Sequence, residues 1–202
     1  FGDQSFVELG TYSGINARLE TRITFGLDNG QVPLPSHSSI HSASLGLYLD
    51  SWESSGGANQ MTFSVHRLLN SQWSQSSSTW NGSSTASSGA WGAPGLLAGV
   101  DYDATPISSF AETNLTDNRW IWFDIGVNGM LIDNDNTWIL LATPNRGTLL
   151  ANFYSSENPI ESLRPIILLN HTNVTSINLS PSSPTTDADT PVTFSYTALD
   201  HL

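Results

Sequence analysis

The chain contains no cysteine and no lysine. The first absence excludes disulfides and thiolate metal sites. The second excludes Lys–Asn isopeptide cross-links. No apolar run approaches the ~20 residues of a membrane-spanning helix, so no membrane insertion is expected. Charge is scarce, at 12% of 202 residues, and lopsided: six arginines face 18 acidic residues, for a net charge of −12. Phosphate binding needs a basic patch, so nucleic acid is excluded as a partner. The acidic balance fits a bound cation, or a saline medium that screens self-repulsion. The chain also lacks a Gly-x-Ser-x-Gly elbow, a His-Glu-x-x-His pair and a phosphate-binding loop. An enzyme is the least expected class.

What remains is strand-forming sequence. Residues 61–69 alternate strictly, with Met61, Phe63, Val65, Arg67 and Leu69 on one face. A period of two with a mostly apolar face predicts a half-buried strand. Ala43, Leu45, Leu47 and Leu49 alternate inward, leaving Ser44, Gly46 and Tyr48 outward. Gly56-Gly57 predicts the turn between these two strands. In RWIWFDI (119–125), Ile121, Phe123 and Ile125 share one face and Trp120 and Trp122 the other. TWILLAT (137–143) is apolar on both faces, which predicts a central strand. Val127, Met130 and Leu131 stand at helical spacing and predict a helical turn or two. Residues 82–99, rich in Ser, Gly and Ala, read as a long surface loop carrying Trp91.

Many short strands with almost no helix predict an all-β fold, an antiparallel β-sandwich of jelly-roll type. The length allows one such domain and part of a second. Composition shifts after Asn170. Residues 1–170 are expected to form the sandwich. Residues 171–202 are expected to be an extended, strand-bearing tail like the start of an immunoglobulin-like repeat. Two strands cannot build a core alone.

The segment 61–81 ends in a Trp, a Ser-rich run and Thr-Trp-Asn: here Trp73, Gln75, Thr79, Trp80 and Asn81. With paired arginines Arg18 and Arg22, Phe123-Asp124-Ile125, Ile139-Leu140-Leu141, and the stretch Phe153 to Glu157 followed by Arg164-Pro165, it resembles the DNRLRE-type, disaggregatase-related extracellular β-sandwich domain. The resemblance covers about residues 1–170. Two departures are visible: a strand that usually precedes the first is absent, and Phe-Asp-Leu after the arginines becomes Ile23-Thr24-Phe25. The resemblance implies a non-catalytic module of a large secreted or cell-surface protein, bacterial or archaeal. Some such modules bind carbohydrate.

Several residues are candidates for chemistry. Trp52, Trp91, Trp120 and Trp122 are sugar-platform candidates, because an aromatic face suits the apolar face of a pyranose; Trp73 and Trp80 are expected to pack in the sandwich. Asp133 and Asp135, with Asn134 and Asn136, offer the oxygen ligands that Ca²⁺ prefers, and Asp101 and Asp103 form a second pair. Five sequons, at Asn81, Asn114, Asn170, Asn173 and Asn178, are glycosylation candidates on an extracellular chain. Glu157 and Arg164 are expected to form an ion pair, and Arg18 and Arg22 to meet buried carboxylates.

Two functions follow as expectations. One is a filament or surface-fibre module whose sheets are completed by β-strand addition between copies, with residues 174–180 or 192–197 as donor. That expectation comes from the ends, a missing first strand and an unfinished strand pair, in a chain that opens at Phe1 like a mature or partial product. The other is a carbohydrate-binding module of a multidomain extracellular protein, with polysaccharide as its partner.

Overall fold

The computed structural model describes residues 4–12, 15–24, 38–69, 91–113, 115–126, 135–180 and 195–200. Eleven strands are present among them: β1 (Phe6–Tyr12), β2 (Ile15–Ala17), β3 (Leu19–Thr24), β4 (Ser38–Ser55), β5 (Gln60–Arg67), β6 (Ser108–Thr113), β7 (Arg119–Asp124), β8 (Asp135–Pro144), β9 (Thr148–Tyr154), β10 (Ile166–Ser180) and β11 (Ser195–Asp200). They form two antiparallel sheets, and the fold is a β-sandwich. The smaller sheet runs β3-β8-β5-β6, so β8 is central, as its two apolar faces require. No helix among the described residues is long and apolar enough to cross a membrane. The turns predicted over 127–131 lie outside the described residues.

The larger sheet is organised on β4. Its residues 44–49 pair with β7. Residues 38–46 pair with β10 and residues 49–55 with β9. Each strand has two edges, and β7 shares Ser44 to Gly46 with β10 and Leu49 with β9. Hence β9 and β10 lie end to end along one edge of β4, and β7 lies along the other. β1 continues the sheet beyond β9. Gly10 of β1 has φ 121°, and a Cβ there would collide with the carbonyl oxygen of Leu149; only glycine lets β1 lie this close to β9.

Between the sheets, alternation delivers the core as predicted. Met61, Phe63 and Val65 of β5 face Leu45, Leu47 and Leu49 of β4, with Phe123 and Phe153. Phe63 crosses the gap edge-on to Phe123, centroids 5.4 Å apart, and lies 6.4 Å from Phe153. Arg119 of β7 and Glu112 of β6 join the sheets at the rim with a 2.8 Å ion pair.

The smaller sheet also buries part of its outer face. Ile139 of β8, with Leu68 just past β5, packs against Trp91, Leu96 and Tyr102 of the connection before β6. This corrects two expectations. Trp91 is 5% exposed and is a core residue of a second cluster, not part of a surface loop. The covered face of β5 also changes after Val65, although its alternation continues: His66, registered with Ile139 on the outer face, is buried edge-on to Tyr102 at 5.1 Å. Its ring nitrogens contact the Asp103 carbonyl and the Ser64 hydroxyl. Arg67 and Leu69, placed inward by alternation, are exposed.

β10 runs through position 170/171 as one strand, with a register shift between Asn170 and His171 in its pairing with β4. Its first half pairs with β4 as far as Asn173, and its residues 174–180 pair with β11 as a hairpin.

Candidate functional site

The outer face of the larger sheet carries a row of aromatic rings. Alternation turns Phe6 on β1, Tyr48 on β4, Trp120 and Trp122 on β7, and Tyr154 on β9 away from the core. Strand pairing then sets them side by side: Phe6 is registered with Tyr154, and Tyr48 with Trp120. Successive ring centroids are 5.3 Å apart from Phe6 to Tyr154, 5.7 Å to Tyr48, 5.4 Å to Trp120 and 5.9 Å to Trp122. Tyr48 and Tyr154 are nearly parallel, at 3°. At the two ends Phe6 is 45% and Trp122 39% exposed. Gly46 lies under the last ring: a Cβ there would come within 2.7 Å of the Trp122 indole. Ile166, registered with Gly46 from the other side, and the exposed Leu168 extend the apolar surface along β10.

A polar line accompanies the rings. The Tyr154 hydroxyl donates to Asp50 Oδ1 at 2.7 Å, and Ser51 Oγ donates to Asp50 Oδ2 at 3.1 Å. Asn152 Nδ2 reaches Ser51 Oγ at 3.4 Å. The hydrogen bond to Asp50 raises the Tyr154 phenol above its ordinary pKa, with desolvation and the Asp50 charge adding to the shift. A carboxylate, a hydroxyl and an amide beside stacking rings can meet sugar hydroxyls while the rings meet C–H faces.

The structure sorts the candidates. Trp120 and Trp122 belong to this row. Trp91 does not, being buried. Trp52 does not either: it is half-buried and packed against the main core. The reason is a bulge. Leu49 pairs with Phe153 and Ser51 with Asn152, so Asp50 is an extra residue and the later parity of β4 inverts. Phe6, Tyr48, Tyr154 and Asp50 are site residues that motif reasoning missed. Their outward parity is legible in the sequence, but their adjacency depends on strand pairing.

The acidic pair Asp101 and Asp103 is engaged by backbone donors. Asp101 is buried and accepts the backbone N–H groups of Gly92 and Leu97. Asp103 accepts the Thr105 N–H. Among the described residues no cluster of three or more His, Asp or Glu could hold a metal. Asp133 lies outside the described residues, and Asp135 opens β8. The Glu157–Arg164 pair is replaced: Arg164 Nε donates to the Asn158 carbonyl at 2.7 Å, and Nη1 lies 3.9 Å from Glu161. Arg18 donates to the Leu96 carbonyl at 2.9 Å and lies over the Tyr102 ring. The backbone of Arg22 pairs with Thr137. Among the sequons, Asn170 is exposed on β10, Asn173 and Asn178 lie further along that strand, and Asn81 and Asn114 are outside the described residues, as are Trp73 and Trp80.

No protein-family model matches the sequence, and no curated protein matches it.

Proposed function

We propose that this domain is a non-catalytic carbohydrate-binding module that holds a polysaccharide chain along the outer face of its larger sheet. The observation that carries the reading is the row of five rings from Phe6 to Trp122. Among the described residues, none of these five rings belongs to either buried core cluster, and the two end rings, Phe6 and Trp122, are exposed. A location outside the cell or on its surface fits a polysaccharide ligand, and there the sequons on β10 could also carry glycans. Calcium is not needed by this reading.

Affinity electrophoresis in gels containing single polysaccharides tests it. The wild-type chain is expected to be retarded by at least one polymer. A Trp120→Ala/Trp122→Ala double variant is expected to bind at least about tenfold more weakly, equivalent to ~1.4 kcal/mol. Unchanged retardation of the double variant would refute the platform.

A second reading, a filament module completed by strand addition, is favoured by one feature. The pairing of β10 with β4 ends at Asn173 while β10 continues to Ser180, which leaves backbone groups beyond the body of the sheet. It ranks second because the segments expected to be donors pair with one another: residues 174–180 are registered with 195–200.

A further inference from the structure

We infer that the aromatic face selects glycans that carry no acidic groups. The inference rests on the sugar-binding reading and adds the ligand class to it. Strand parity, inverted on β4 by the bulge at Asp50, also turns four carboxylates outward beside the rings. Glu8 is two residues from Phe6 on β1, and Asp124 is two residues from Trp122 on β7. Asp50 holds the Tyr154 hydroxyl. Glu53, exposed, follows on β4 beyond the bulge.

Among the described residues no arginine is placed on this face to offset them. The chain has no lysine, and its six arginines are all placed elsewhere or engaged. Arg18, Arg22 and Arg67 belong to the smaller sheet and the strand end leading into it. Arg146, between β8 and β9, donates through Nε to the Gly57 carbonyl. Arg119 is turned to Glu112 across the rim, and Arg164 is held by Asn158 beside Glu161. A uronate or sulfate ester laid along the rings would meet like charge with no guanidinium to clamp it, and such juxtaposition is a device for rejecting ligands. A hydroxyl-rich, uncharged polymer can instead donate its hydroxyls to these carboxylates. The wider field of a chain at −12 acts in the same direction.

The test compares retardation of the intact chain on uncharged polymers (β-glucan, xylan, mannan) with that on polygalacturonate and chondroitin sulfate. Low salt preserves the electrostatic difference, and EDTA removes bridging by divalent cations. The expected result is retardation on an uncharged polymer and binding at least about tenfold weaker on both anionic ones. A Glu8→Arg/Glu53→Arg variant is expected to narrow that gap at least threefold, and raising the salt is expected to narrow it for the wild type. Equal or stronger retardation on an anionic polymer overturns the inference and leaves the sugar-binding reading standing. Retardation on no polymer overturns the sugar-binding reading and the inference with it.

Discussion

At Gly46 the residue's size bears directly on the site. Its missing side chain is the space over which the Trp122 indole lies, at 2.7 Å from a notional Cβ. In Gly46→Ala the ring, 39% exposed, is free to swing outward. Stability is therefore expected to change by no more than about 1 kcal/mol, because lost chain freedom in the unfolded state offsets the crowding. Polysaccharide retardation is expected to weaken severalfold. Melting and affinity electrophoresis on the same variant separate the two effects. Tyr154 gives a pH prediction. Its phenol is raised in the folded state, so the protonated form is favoured by folding. The stabilisation is fully present below the ordinary tyrosine pKa and is lost as pH rises through the folded value. Spectrophotometric titration of Asp50→Asn is expected to show one tyrosine ionising at lower pH than in the wild type. Identical curves would remove Asp50 as the cause. At this scale the sequence was legible wherever parity held. Ala43 to Leu49 and Ile121 to Ile125 orient as their alternation demands. Trp52 was misplaced because a single bulged residue, Asp50, inverts parity without any local signal in composition.

The connection between β5 and β6 shows what an element's composition conceals. A stretch rich in Ser, Gly and Ala reads as solvent-facing, yet its end places Trp91, Leu96 and Tyr102 over Ile139. The apolar second face of β8 was the available clue: a central strand apolar on both sides needs a cover on each. Asp101 fastens that cover, with its carboxylate accepting the Gly92 and Leu97 N–H groups at 2.8 and 2.7 Å. Asp101→Ala leaves both donors unpaired and is expected to destabilise the fold by about 1–3 kcal/mol in chemical denaturation. Sugar binding should be unaffected, since this cover lies on the smaller sheet. A variant with wild-type stability would show that the loop does not depend on this carboxylate.

For the whole molecule, the sandwich was legible because strand period, turn residues and the scarcity of helical pattern agree. The site was not, because its five rings come from four strands whose lateral order only folding sets. The tail is separable in the same picture. Among the residues of β10 whose side chains are described, Ile167 and Leu169 pack on the main core, and the pairing of β10 with β4 ends at Asn173, so truncation after Asn173 is expected to leave melting of the body and polysaccharide retardation unchanged. Sedimentation velocity of both forms then reports on strand addition: a full chain that assembles with concentration beside a truncated monomer would bring the filament reading forward. The central claim, that the outer aromatic face of the larger sheet is where a glycan lies, is tested most directly by NMR of the indole N–H resonances during titration with an oligosaccharide of an uncharged polymer that retards the protein. The account predicts that the Trp120 and Trp122 signals shift in proportion to binding while those of Trp91 and of Trp138 on β8, both buried, stay in place. Binding that leaves Trp120 and Trp122 unmoved would contradict it.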